Sequence, residues 1–265
     1  MDVTLGFSPC PNDTFIFDAL VNEKIDTEGI NFITQLEDVQ TLNQLAMASE
    51  LDVTKISYGV LPKILDKYEV LNSGSALGSG VGPLLIANEN VSFADVPEYT
   101  IGIPGENTTA HLLFSLAFPV AKNKVFLRYD QIEDFVIGGE KQLGVIIHEN
   151  RFTYAAKGLH KIVDLGNYWE EKTGYAIPLG GIVAKKSIDA KLVNKIDILI
   201  RKSIEYAFSN YPEIPDYVKE HSQEMDTNVM KQHIDLYVNE YSLDLGNTGK
   251  AAINKLLEVY NNQTE

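Results

Sequence analysis

The chain is short of cysteine, of basic charge and of long apolar runs, and each shortage removes a class of function. Cys10 is the one cysteine among 265 residues, so no intrachain disulfide can form and no cysteine-built metal site is expected. No apolar stretch approaches the ~20 residues that cross a bilayer. The opening MDVTLGFSPCPNDTF lacks the basic, apolar and small-residue regions of a secretory leader. Lys and Arg number 22 against 37 Asp and Glu, for a formal net charge of −15. A surface of that sign repels nucleic-acid phosphates and anionic membranes, so neither is an expected partner. It also opposes an anionic ligand, which would need a local cluster of donors. The five histidines form no pair at metal-ligand spacing, and no metal is expected. A cytoplasmic enzyme fits these absences, whereas a secreted binding protein would carry a leader.

What is present is an ordinary globular balance, 45% hydrophobic and 22% charged, arranged as short apolar runs alternating with helical patterns. Val3–Phe7 reads as a strand, and Ser8–Asn12 as its loop. Asn12 or Asp13 then caps a helix through Phe15, Ile16, Ala19 and Leu20. Strands follow at Ile30–Ile33, Leu51–Ser57 and Gly82–Ala87, with a helix from Thr41. The pattern repeats with strands at Thr100–Ile103, Val125–Tyr129 and Leu143–Ile147, a helix from Thr108 to Phe118, and a returning strand at Gly180–Ala184. Leu192, Ile196, Leu199, Ile200, Ile204 and Ala207 recur at helical spacing, and a last amphipathic stretch runs from Gly249 to Tyr260. Alternation of this kind predicts an α/β fold with mainly parallel sheets. Two α/β units imply two lobes, a larger one from 1–88 with 181–265 and a smaller one from 89–180, with a ligand cleft between them.

Ligands of open parallel sheets bind beyond the carboxyl ends of the strands, where SPCPND, KIS, PGENTT and HEN place polar groups. In Gly105–His111 a strand turns into a helix whose first turn offers the Thr108 and Thr109 hydroxyls and unpaired backbone N–H groups, which favour an anion. Asn107 or Thr108 also reads as a simple helix cap. Lys55 and Ser57 share one face of their strand; they either contact a ligand or sit on an edge strand in water. His148 ends an apolar strand, where a neutral imidazole with a pKa of ~6.5 can accept a proton or can serve a structural hydrogen bond. Asn12, Asp13, Glu149, Arg151 and Tyr154 are further candidates by proximity. Cys10, with no histidine paired to it in sequence, reads as a packed, inert thiol. The glycines of Gly78–Gly82 lack the Lys-Ser/Thr ending of a phosphate loop and read as a close-packed turn near a crossing between lobes.

Read together, LGFSPCPNDTFIF, LEDVQTLNQLA, TKISYG, GSGVGPLL, RYDQI, GVIIHENRFTY, VDLGNYWEEKTGYAIPLGGI and YVNEYSLDLG resemble the 1,4-dihydroxy-6-naphthoate synthase family of menaquinone biosynthesis, over nearly the whole chain. The resemblance implies a type II periplasmic-binding-protein-like fold put to catalysis. It also implies a carbon–carbon lyase that converts cyclic dehypoxanthinyl futalosine, a small anionic aromatic substrate, without a cofactor. It assigns the base to His148 and substrate binding to Lys55, Ile56, Ser57, Thr108 and Thr109. A chorismate dehydratase of similar fold and a non-catalytic binding protein for small carboxylates are the alternatives. The resemblance leaves the oligomeric state open.

Overall fold

The computed structural model describes residues 1–223 and 226–264. In chain order its elements are β1 (Asp2–Phe7), α1 (Pro11–Val21), β2 (Asn31–Leu36), α2 (Val39–Ala48), β3 (Val53–Ser57), β4 (Tyr68–Val70), β5 (Ala76–Gly78), β6 (Leu84–Ala87), β7 (Thr100–Ile103), α3 (Thr109–Ala117), β8 (Lys124–Phe126), α4 (Ile132–Gly138), β9 (Gln142–Ile146), α5 (Asn150–Thr153), β10 (His160–Asp164), α6 (Leu165–Thr173), β11 (Ile177–Lys185), α7 (Ala190–Asn210), α8 (Asp216–His221), α9 (Thr227–Tyr237), α10 (Glu240–Leu243) and α11 (Gly246–Thr264). Short 3₁₀ segments join some of them, including Tyr58–Lys63 directly after β3.

The strands form two sheets, one ordered β2-β1-β3-β11-β4 with β5 also on β11, the other β10-β6-β9-β7-β8. Both sheets are mixed, which corrects the expectation of mainly parallel ones. β1, β2 and β3 are parallel, as are β7, β8 and β9, but β11 runs antiparallel to β3, β4 and β5, and β6 antiparallel to β9 and β10. The reversed strands are those on which the chain passes from one sheet to the other and back. By strand membership the passages fall between β5 and β6 and between β10 and β11, so the expected edges at 88 and 181 come after β6 and inside β11.

Side-chain alternation explains the second sheet's two faces. Leu85 and Ala87 of β6, Ile101 and Ile103 of β7, and Leu143 and Val145 of β9 join one apolar cluster. Leu84, Ile86 and Ile146 join another with Ile132 and Val136 of α4. The first of these clusters is continuous with Ile56 and Val183 of the other sheet, through Tyr58, Val60 and Leu61 and the inner face of α3. The two sheets therefore share apolar packing beside the cleft.

The helix after β1 differs from expectation at its start. Cys10, followed by Pro11 in the first turn, holds the N-cap position, because proline needs no N–H there. Asp13 is left free to reach back from the first turn, where Oδ2 accepts from Ser8 N at 3.2 Å and Ser8 Oγ at 2.7 Å. α1 is buried from Pro11 to Leu20, packed against α7, whose Ile196, Ile200 and Ile204 recur on one face.

Polar contacts join the ends of β3 and α3. Asn43 of α2 accepts from Ser57 N and donates to Asn107 O, both at 2.9 Å. Lys63 donates to Asn107 Oδ1 at 2.7 Å. Gly59 N donates to Thr109 Oγ1 at 3.0 Å, and that hydroxyl donates to Leu179 O at 2.7 Å. Gly59 is required by this approach, since a Cβ there would lie 2.5 Å from the carbonyl carbon and oxygen of Thr108. Gly59→Ala should lower stability by about 1–3 kcal/mol through overpacking, read as a lower urea midpoint. Gly138→Ala, whose added Cβ would meet nothing within 4 Å, is the control and should keep the wild-type midpoint or exceed it.

Candidate functional site

Where the carboxyl ends of β1, β3 and β9 face α3 lies a cleft. Its walls include Asn12, Asp13, Lys55, Ile56, Ser57, Thr108, Thr109 and His148, so one cavity gathers these sequence candidates from separate segments. Ser8, Val39, Ala110, Leu179, His233 and Tyr237 also line it.

Lys55 lies on an interior strand and is 5% exposed, which excludes the edge-strand reading. Its ammonium sits 2.9 Å from Asp13 Oδ1 and donates to Gly74 O at 3.3 Å, because a lysine buried in a sheet must be paired. Asp13 also accepts from Asn12 Nδ2 at 2.8 Å. Thr108 caps α3: its hydroxyl accepts from His111 N at 3.2 Å and donates to Gly105 O at 2.9 Å. Both threonine hydroxyls thus already hold protein groups. What α3 turns to the cleft at Thr108, Thr109 and Ala110 is the start of a nine-residue helix, where backbone N–H groups lack helical acceptors.

His148 follows β9 with φ of +56°, a left-handed conformation that costs a non-glycine residue of order 1–3 kcal/mol. Its Nε2 is buried and has no hydrogen-bond partner among the described residues. The edge of Tyr129 packs on the ring with centroids 4.9 Å apart, and His233 stacks on it at 6.2 Å and 14°. Burial pulls the imidazole down from its ordinary value to about 4; Asp13 pulls it up and Lys55 pushes it down by smaller amounts. At neutral pH the ring is uncharged and able to accept a proton.

Three sequence candidates do not line the cleft. Arg151 is a structural clamp, bonded to Gly82 O, to Gly80 O at 2.7 Å and to Asp164 at 2.7 Å. It fixes the Gly-rich turn, where Gly82 packs directly on Gly166. Tyr154 packs with Leu84 and Ile86 on the far face of the second sheet. Glu149 is buried, with Oε2 3.7 Å from His233 Nδ1. Cys10 stands beside a histidine after all, because ligand-type atoms of Cys10, His148 and Glu149 lie within 4.8 Å of one another. A metal takes cysteine as the thiolate, and burial pushes the Cys10 thiol well above its usual range. We read the group as a buried polar cluster, not as metal ligands.

His233 escaped sequence reasoning because it lies far along the chain. The signal was available in its place on the buried stripe of α9 with Met230, Ile234 and Tyr237, where an apolar side chain is the rule.

The chain matches the protein-family model described as menaquinone biosynthesis over residues 3–262. It is 43% identical to a 1,4-dihydroxy-6-naphtoate synthase from Thermus thermophilus, over 95% of this chain and 91% of that protein. It is 42% identical to a synthase of the same name from Streptomyces coelicolor, over 96% and 90%. Among solved structures, a protein from Archaeoglobus fulgidus superposes with a TM-score of 0.93 at 31% identity, covering 99% of this chain and 98% of that one. The alkanesulfonate-binding protein of Xanthomonas axonopodis shares the fold alone, with a TM-score of 0.74 at 8% identity over 99% and 93%. The architecture is that of the periplasmic binding proteins, and the chain belongs to the menaquinone biosynthesis family.

Proposed function

We propose that this protein is a carbon–carbon lyase that converts cyclic dehypoxanthinyl futalosine to 1,4-dihydroxy-6-naphthoate, with His148 as general base. The observation that carries the mechanism is the uncharged His148 ring, with no hydrogen-bond partner for Nε2 among the described residues, in the wall of a cleft also lined by the start of α3. The synthases to which the chain is similar supply the substrate class.

In this reading the substrate's carboxylate rests on the N–H groups at Thr108–Ala110, with Lys55 nearby to offset the protein's negative charge. Ile56 and Ser57 form the floor at the end of β3, and Asn12 and Asp13 hold Lys55 in place. His148 takes a proton as the carbon–carbon bond breaks, and aromatisation of the new ring drives the step. A larger lobe built on the first sheet and a smaller one built on the second close around the substrate, excluding water and aligning the base. Among the described residues no helix is long and apolar enough to cross a membrane, and we take the enzyme to act in the cytoplasm.

Incubation of the purified protein with cyclic dehypoxanthinyl futalosine, followed by chromatography, should show 1,4-dihydroxy-6-naphthoate; turnover of chorismate instead would transfer the protein to the dehydratase reaction. His148→Asn keeps a residue that tolerates the left-handed backbone and removes the base. Turnover should fall ~10²–10⁴-fold while substrate binding, read by calorimetry, stays within a few-fold. Near-normal turnover would remove His148 from the mechanism.

The pH dependence has a definite sign. A base protonates as pH falls, and the pKa of about 4 in the free protein places that loss well below the ordinary histidine range. The value of kcat/KM should hold from pH 7 to about 5 and fall only as pH nears 4. An acid limb centred near 6.5 would mean that the imidazole meets water freely.

A further inference from the structure

One titratable group on the cleft wall has no part in the mechanism above, and its protonation can be worked out from its neighbours. The Asp13 carboxylate, held by Lys55 at 2.9 Å, can only accept hydrogen bonds, so Asn12 must turn its Nδ2 towards it, at 2.8 Å. The Asn12 oxygen therefore faces His233 Nε2, at 2.9 Å, and that nitrogen must carry the hydrogen. The other ring nitrogen of His233, Nδ1, is left with a lone pair. It is buried and has no hydrogen-bond partner among the described residues, on a residue 1% exposed. The nearest acidic atom is Glu149 Oε2, 3.7 Å away. A lone pair and a carboxylate oxygen held against each other in a buried site repel, and a single proton between them relieves both.

We propose that Glu149 and His233 jointly hold one proton, with His233 as the acid of the reaction, opposite His148 as its base, and Glu149 as a positioning residue that acts through it. The assignment rests on the reaction proposed above. His233 lines the cleft and stacks on His148 with centroids 6.2 Å apart, so acid and base occupy adjoining positions.

The step balances. One proton passes from substrate to His148, and the electron pair of that bond forms the new π bond. The pair of the broken carbon–carbon bond ends on the departing side, which receives the proton held by Glu149 and His233. Return of a proton from His148 to the pair restores both, and no oxidant or reductant enters. Other groups facing the pair include Lys55 and Asp13 through Asn12, Cys10 beside Glu149, and Tyr237, whose ring centroid lies 4.7 Å from that of His233. Lys55 and a protonated His148 both oppose a second positive charge on His233, so that imidazole gives up its proton most readily just after the base has taken one. Burial keeps the Tyr237 hydroxyl protonated and the Cys10 thiol likewise, so neither competes as a carboxylate would.

Two measurements test the assignment. The first is the pH profile of kcat and kcat/KM on cyclic dehypoxanthinyl futalosine for wild type, Glu149→Gln and His233→Gln. The wild type should show an alkaline limb from loss of the shared proton. Each variant should lose ~10²-fold or more in kcat with KM within a few-fold, keep the acid limb of His148 and lack the alkaline one. Variants that fall less than threefold, or that keep the alkaline limb, overturn the proposal. The second is ¹⁵N NMR of the imidazoles in the folded protein, which needs no turnover. Nε2 of His233 should be protonated across pH 5–9, with the Nδ1 resonance moving in Glu149→Gln. A His233 protonated on Nδ1 and bare on Nε2 at neutral pH overturns the proposal. Absence of product from wild type would refute the proposed reaction, while the NMR result would still decide whether the pair exists.

Discussion

The ion pair between Lys55 and Asp13 is the interaction from which the polar side of the cleft is built. Lys55 is fixed in an interior strand by hydrogen bonding on both sides to β1 and β11, so its charge cannot reach bulk water. Asp13 cannot move away either, because α1 is buried along nearly all of its length. Removing either partner would leave the other charged and buried, a penalty of roughly 3–5 kcal/mol. The pair also orients its surroundings. Ser8 and Asn12 can approach Asp13 only as donors, which in turn sets the amide of Asn12 and the tautomer of His233. A constraint in the first sheet is thereby transmitted to α9.

The other side of the cleft depends on closeness rather than charge. The segment after β3 lies so near the start of α3 that only glycine fits at position 59, and the neighbouring hydroxyls and amides are used to hold that approach. Thr109 joins Gly59 to Leu179, and Asn43 joins Ser57 to Asn107. Beneath them the apolar cluster around Tyr58, Leu61, Leu113 and Phe114 continues from one sheet to the other. Side chains that might otherwise be assigned to the ligand are thus holding the frame, and the surfaces left for an anion are backbone N–H groups. Such groups cost no side-chain entropy to position and carry no charge that must be neutralised when the cleft is empty.

How much of this was legible in the sequence depends on distance along the chain. The turn into α3 was readable because strand, glycine, threonine and helix are contiguous, and Thr108 caps as its position predicts. The alternation that put Lys55 and Ser57 on one strand face was readable too. Its partner was not, because Asp13 resembled a helix cap until Cys10 and Pro11 took that place. Sequence proximity misled at Arg151 and Tyr154: the short α5 turns them from His148 towards the Gly80–Gly82 turn and the far sheet face. His233 and Gly59 act on residues remote in sequence, and neither a periodicity nor a motif records a pairing of that kind. Strand direction failed for the same reason, since β6 and β11 take their orientation from the passage between sheets and not from their own composition.

The charge balance around His148 bears on how the proposed mechanism would run on an uncharged base in so acidic a protein. Burial lowers its ring most, Asp13 and Asp38 pull it up and Lys55 pushes it down, so burial decides the outcome. A base with a pKa of about 4 is neutral throughout the physiological range but a weak proton acceptor. An anion entering the same enclosed space changes that, because each added negative charge in a medium of low polarity favours the imidazolium. The substrate's own charge would then raise the basicity of His148 when the proton must be taken, and departure of the product would return the ring to its neutral resting form. The stacked His233, which cannot readily be charged beside a charged His148, gains the complementary tendency to release a proton. In a cleft of this kind, binding and proton transfer are coupled through the cost of burying charge.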